Sequence, residues 1–229
     1  MAGEALVVVE GPDEEGPSRF YALVEELHRR IVTHNLPPGA RMREQALAKD
    51  FGVSRAQIRE VLAALEERGL VEREPNRGAF VRRPTAQELL HVFELREVLE
   101  GLSARLATQQ ASPESWQDLV DLFGAPTEAL VEAGDVAGYL RNLELMRKRM
   151  LDAAGNPVLS RMLGPLYDQT FMIMRRLLLT TDRAREALLE HRAILEAMRR
   201  GDATEAERLK RLQIRSARSA FERYRQFLL

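Results

Sequence analysis

From Thr85 to the end of the chain, no segment alternates apolar and polar residues with period two. Apolar residues instead return in steps of three and four. The run is broken only by short stops: Ser112-Pro113, Gly134-Asp135, Gly155-Asn156-Pro157 and Gly201-Asp202. Half-buried strands need the missing alternation, whereas each stop joins a helix terminator to a cap. The spacing predicts helices over 86–110, 113–133 with a break at Gly124-Ala125-Pro126, 135–154, 157–179 with a kink at Gly164-Pro165, 182–200 and 202–228. Six helices with short links describe an antiparallel bundle.

The residues before Thr85 read differently. Phe20, Leu23, Val24, Leu27 and Ile31 mark one face of a helix over 18–34, stopped by Leu36-Pro37-Pro38-Gly39. A short helix follows over 44–51, with Leu47, Ala48 and Phe51 inward, then a Gly52-Val53 turn. Ser54 is a good N-cap for a helix over 55–68 that buries Ile58, Val61, Leu62 and Leu65. Segments 70–73 and 79–82 read as two strands around Pro75-Asn76-Arg77-Gly78. Helix, short helix, turn, helix and hairpin is the order of a winged helix-turn-helix. The predicted fold class is therefore mainly α, an N-terminal winged helix-turn-helix followed by a C-terminal all-helical bundle. The predicted divisions are a flexible acidic tail over 1–17 with one short candidate strand at 5–9, a module over 18–84 and a helical domain over 85–229.

Net charge is −1 over 229 residues, but it is unevenly spread. Residues 1–17 carry five acids and no base, residues 18–84 carry 13 Lys/Arg against 9 Asp/Glu, and the remainder carries 21 of each. A basic module on a neutral body suggests a polyanion partner, although charge alone does not separate this from chance variation. With no cysteine, disulfides, thiol nucleophiles and thiolate metal ligands are excluded. No run of 18 uncharged apolar residues offers a membrane-spanning helix, and Leu6-Val7-Val8-Val9 lacks the preceding basic residues of a secretory signal. A cytoplasmic location and no membrane partner are expected. Only three of the 34 basic residues are lysines, Lys49, Lys148 and Lys210. This bias reads as a genomic or thermal trait rather than as function.

In the basic module, the helix over 55–68 turns Arg55 and Arg59 outward one turn apart, beside the small Ala56 and Ala63. Small residues let the backbone approach a groove, and a guanidinium forks onto guanine O6/N7 or onto phosphate. Arg77-Gly78 puts charge and bare backbone at the hairpin tip. Two arginines at i,i+4 alone describe any solvated helix face; the full order of elements shifts the reading to double-stranded DNA. The stretches Leu36-Pro-Pro-Gly-Ala-Arg, Gln45 to Val71 and Arg77-Gly-Ala-Phe-Val81 resemble the GntR family of bacterial transcription regulators, nearly continuously over 19–83. The resemblance implies DNA contacts at Arg55, Ala56, Gln57, Arg59 and Gly78, to which Ser54 and Arg77 are added. Gln45 departs from the family, which often has an Arg there; it still donates to a phosphate, without charge.

Residues 86–220 resemble the FCD effector domain of the FadR-like branch, on Phe93-Glu94-Leu95-Arg96, Leu99-Glu100, Ala153-Ala154-Gly155-Asn156-Pro157, Glu190 to Leu195 and Gly201-Asp202. The resemblance implies a helical bundle that binds a small acid and forms the dimer. In most such domains a divalent metal is held by an Asp or Asn and three His. Here those positions fall on Leu143, Arg147, His191 and Gln213, with Asn142 one residue, and so about 100° of helix, out of register. One imidazole and one amide do not make a site for zinc or a similar ion. No metal and no cofactor are therefore expected. Arg147 shares a face with Leu140, Leu143 and Leu151, and an arginine on an apolar face is costly unless an anion pairs with it. If the stripes converge as in the family, Arg96, Arg147, His191 and Gln213 bind a small anionic effector. The plainer readings are an Arg96–Glu100 pair at i,i+4, a core His191, and a permanent carboxylate for Arg147.

One recognition helix reads few base pairs, so a homodimer on a palindromic operator is expected. Its contact is expected within 86–229, on Leu95, Leu99, Leu102 and Leu106 or an equivalent stripe, unless that stripe is bundle core. A ligand-responsive DNA-binding regulator is the predicted function. The alternatives are an enzyme in the helical half and a partner-binding protein whose winged helix no longer binds DNA. The chain has no Gly-rich phosphate loop, no His pair at metal spacing and no nucleophile elbow, so no catalytic residues are assigned.

Overall fold

The computed structural model describes residues 16–32, 35–179 and 182–228. Residues 1–15 of the expected tail, with the strand at 5–9, lie outside the described residues, as do Thr33 and His34 at the expected end of the first helix. Gly16 and Pro17, assigned to the tail, instead open that helix. The chain divides into two compact units, one ending at Arg82 and the other starting at Arg83. The fold is mainly α: a winged helix-turn-helix followed by a helical bundle.

In the first unit, α1 (Gly16–Val32), α2 (Glu44–Phe51) and α3 (Arg55–Glu67) enclose a core of Leu23, Leu27, Ile31, Leu47, Ile58, Val61, Leu62 and Leu65. The four inward positions of α3 are those its spacing predicts. Its start is a capping box. Ser54 Oγ accepts from Gln57 N at 3.2 Å, and Gln57 Oε1 accepts from Ser54 N at 3.0 Å. Gly52 ends α2 in the left-handed region, φ 61°, with nothing near its missing Cβ, so backbone conformation alone asks for glycine. The sheet has three strands rather than two: β1 (Arg41–Met42), β2 (Val71–Glu74) and β3 (Gly78–Val81), antiparallel in the order β1-β3-β2. Met42 lies opposite Ala79, and Val71 opposite Val81. Two residues are too few to show alternation, which is why β1 is not visible in the sequence.

The second unit has α4 (Ala86–Gln110), a 3₁₀ turn (Pro113–Trp116), α5 (Gln117–Leu122), α6 (Ala125–Glu132), α7 (Val136–Ala154), α8 (Pro157–Leu178), α9 (Arg183–Arg199) and α10 (Ala203–Leu228). The expected helix over 113–133 is three pieces. Its break lies at Phe123-Gly124, and Ala125-Pro126 starts α6, because proline is tolerated in the first turn of a helix. α8 continues as one helix from Pro157 to Leu178, with Pro165 inside it at the place where a kink was expected. Among the described residues the bundle therefore has seven α-helices, not six. α4 packs along α10 and α7. Gly155 in the left-handed region ends α7, and Asn156 Oδ1 accepts from Val158 N and Leu159 N to start α8. Trp116, Phe123, Tyr139, Leu195 and Met198 fill the main core.

Candidate functional site

Two places concentrate chemistry, one in each unit. In the first, β1, α2, the start of α3 and the hairpin tip border one open groove. It is lined by Arg41, Arg43, Lys49, Arg55, Arg59 and Arg77 against the single acid Glu44, with Gln45 and Gly78 also in the wall. Six cations and one acid around a concavity favour a polyanion. Glu44 Oε2 lies 2.9 Å from Arg59 Nε and 3.4 Å from Arg55 Nη2. The Arg59 hydrogen bond outweighs partial burial and lowers the Glu44 carboxyl below its usual range. From β2, Arg73 donates to Arg59 O at 3.1 Å and pairs with Glu66, tying the wing to α3. Arg77 pairs with Glu74, and its guanidinium lies over the Phe80 ring. Gly78 has φ 96° and open space around it, so the tip needs glycine for conformation and leaves the backbone bare.

Of the residues expected to meet DNA, Gln45, Arg55, Arg59, Arg77 and Gly78 line this groove. Ala56 is exposed on α3. Ser54 and Gln57 engage each other in the capping box, so their first job is to start α3 in the orientation that presents Arg55 and Arg59. Sequence reasoning missed Arg41, Arg43 and Lys49. The signal was their net charge; no periodic pattern could bring β1 beside the wing.

The second place lies inside the helical unit. Arg96 and Glu100 on α4 are both buried and pair at 2.7 Å (Nε to Oε1). Arg96 Nη1 also donates to Thr170 Oγ1 at 2.8 Å. Across from them, Lys210 of α10 puts Nζ 2.8 Å from Glu100 Oε2 and donates to Gln213 Oε1 at 3.0 Å. Burial pushes the Glu100 carboxyl up, but the surrounding Arg96, Lys210 and Arg147 charges outweigh it and hold it at about 2. Arg147 of α7 lies over the Tyr167 ring, 4.6 Å from its centroid, and pairs with no carboxylate among the described residues. His191 of α9 is buried, with Nδ1 3.1 Å from the Tyr139 hydroxyl. Burial first, and then the Lys210 charge, keep its pKa well below the ordinary range, so the imidazole is neutral at pH 7.

Glu100, Ser103, Arg147, Tyr167, His191 and Lys210, with Leu143, Met146 and Met150, line a cavity of about 10 Å³. That is roughly the room one water needs. Of the four expected effector residues, Arg147 and His191 reach the cavity. Arg96 and Gln213 stand one layer behind it, holding Glu100 and Lys210. Lys210 was missed, although it is one of three lysines in an arginine-rich chain.

The residues here do not suit the divalent metal that the resemblance implies. Leucine, arginine and glutamine stand at three of the four positions, and Lys210 adds an ammonium beside the fourth. Among the described residues no three His, Cys, Asp or Glu gather as a ligand set. Asn142 is engaged with Thr127 Oγ1 at 2.9 Å and does not line the cavity.

Residues 91–216 match the FCD domain, and residues 21–81 match the bacterial regulatory proteins of the gntR family. The chain is 28% identical to the Bacillus subtilis protein named uncharacterized HTH-type transcriptional regulator YdhC, over 80% of this chain and 83% of that one. It is 26% identical to the HTH-type transcriptional repressor NanR of Escherichia coli, over 88% of this chain and 84% of that one. The solved structure of E. coli McbR/YncC superposes with a TM-score of 0.75 at 20% identity, covering 90% of this chain and 98% of that one, a likeness of fold. No described helix is long and apolar enough to cross a membrane.

Proposed function

The chain belongs to the GntR family of bacterial transcription regulators, in the branch with an FCD domain, and from that premise we propose that it is a homodimeric, effector-responsive DNA binder acting on a palindromic operator in the cytoplasm. The matching families are regulators, not enzymes, and the wall of basic residues around α3 and the wing tip is the single observation that carries the DNA reading. Arg55 and Arg59 reach base edges or adjacent phosphates, Gln45, Arg77 and the Gly78 backbone reach phosphates, and Ala56 lets α3 approach the groove. NanR is named a repressor, and we assign the same sense here.

Two halves of an operator require two copies of α3. The exposed Leu95 and Val98, continued by the partly buried Leu99 and Leu102, form an apolar stripe on α4 that supports a dimer contact within the helical domain. Leu106, expected on the same stripe, packs against the main core. Arg147 supports an anionic effector: it lines the cavity with His191 and forms no ion pair among the described residues, while Arg96 and Gln213 position Glu100 and Lys210. A gel-shift titration with DNA from upstream of the protein's own coding region tests the DNA reading. Wild type forms a specific complex and the Arg55→Ala/Arg59→Ala double variant does not; equal affinity overturns the reading.

A further inference from the structure

Among the described residues that line this cavity or pair with its lining, charge does not balance. Arg96, Arg147 and Lys210 surround one carboxylate, Glu100. His191 contributes no charge. Positive charge exceeds negative by two, in a region where unpaired charge is costly.

The three cations are not equally committed. Glu100 gives Oε1 to Arg96 and Oε2 to Lys210. Arg96 places a further donor on Thr170, and Lys210 a further donor on Gln213. An ammonium has three donors and a guanidinium five. Lys210 meets Glu100 Oε2 as a 2.8 Å ion pair and donates one hydrogen bond, to Gln213, so at least one Lys210 N–H and the whole Arg147 fork remain available, and both residues line the same cavity. Of the nine lining residues, Arg147 and Tyr167 alone are partly exposed; the other seven are buried. The uncommitted arginine rests on the aromatic face of the other partly exposed lining residue, Tyr167.

Resting on the reading of this site as the effector pocket, we infer that its ligand is a dianion, taken without a metal ion, with one anionic group on Arg147 and the other on Lys210. A dicarboxylate and a phosphate monoester share this chemistry. A neutral ligand leaves the full excess, a monoanion removes half, and a dianion brings the cluster to neutrality. A divalent cation would double the excess. The chain's own Arg147 and Lys210 supply the positive charge, and Glu100 is a resident counter-ion that keeps Arg96 and Lys210 in place while the pocket is empty. Because the cavity has room for about one water, entry requires the Arg147–Tyr167 stack to open.

The test is calorimetric titration of the full-length protein in EDTA-containing buffer, at constant ionic strength and pH 7.5. The probes are butyrate and succinate, which match in carbon count, and glycerol 3-phosphate against glycerol. We expect at least one dianion to bind about tenfold or more tighter than butyrate, the increment of one added charge-assisted pairing. The succinate and phosphate arms tell the two sources apart. Lys210→Met should reduce that dianion to the butyrate level and Lys210→Arg should restore the preference, which separates loss of charge from loss of fold. Arg147→Gln should abolish acid binding altogether. Equal affinities for butyrate and both dianions, all lost in Arg147→Gln, overturn the dianion inference but leave the effector pocket standing. No binding of any acid to the wild type overturns both. Binding that appears only when a divalent metal replaces EDTA overturns the metal-free site.

Discussion

Glu44 is the single acid in the groove proposed to meet DNA. One of its oxygens is shared by Arg59 and Arg55, so without DNA an internal anion holds the two arginines in the groove. Exposed pairs of this kind contribute about 0–1 kcal/mol, so under the proposed reading a phosphate would displace the carboxylate at little cost, and orientation would be its main effect. Glu44→Gln should strengthen binding to random duplex several-fold, steepen the salt dependence by roughly one unit of slope and lower the ratio of specific to non-specific affinity. Anisotropy titrations at several salt concentrations read all three, and unchanged values would show that Glu44 does not influence DNA binding. Glu100 is the opposite case, a buried acid with two buried cations on it. Glu100→Leu strands Arg96 and Lys210 and should cost about 3–5 kcal/mol in urea unfolding. The Glu100 carboxyl is lowered from 4.5 to about 2 in the fold. Its stabilisation is therefore complete above about 4.5 and is lost as pH falls from there through 2. A pH series of melts on wild type and Glu100→Gln should show that acid-labile part only in the wild type. The Arg96–Glu100 half of this cluster was legible as an i,i+4 pair. The Lys210 half joins residues far apart in sequence, and no local periodicity carries such a contact.

At the level of elements, α3 was legible because its cap, its inward face and its outward arginines follow from one period and one N-cap rule. β1 was not, since Arg41-Met42 becomes a strand only by pairing with Phe80 and Ala79. The break before α6 was legible within two residues, since Gly124 stands before the proline in the first turn of that helix. The α4 stripe is the element whose partner matters most. Leu95 and Val98 are 55% and 50% exposed, and apolar exposure on consecutive turns fits a second copy better than water. Leu95→Asp/Val98→Asp should shift sedimentation at micromolar concentration from dimer to monomer while leaving the helical circular-dichroism signal intact. A monomeric wild type would contradict the dimer outright.

On the scale of the whole molecule, a net charge of −1 gives no general attraction to DNA, so binding depends on where the charge sits. The first unit's groove holds six basic residues against one acid, while the helical domain carries equal numbers of each sign. If half of the groove's cations in each protomer of a dimer reach phosphates, log K should fall against log salt with a slope of about −5. The groove is proposed to read DNA through Arg55 and Arg59. The most direct measurement is competition anisotropy on a labelled duplex from the protein's own upstream region, with wild type and the Arg55→Ala/Arg59→Ala variant side by side. Wild type should prefer this duplex over random competitor, and each arginine removed should cost about 1–3 kcal/mol of that preference. Equal preference in the two proteins, with both folded, would contradict it.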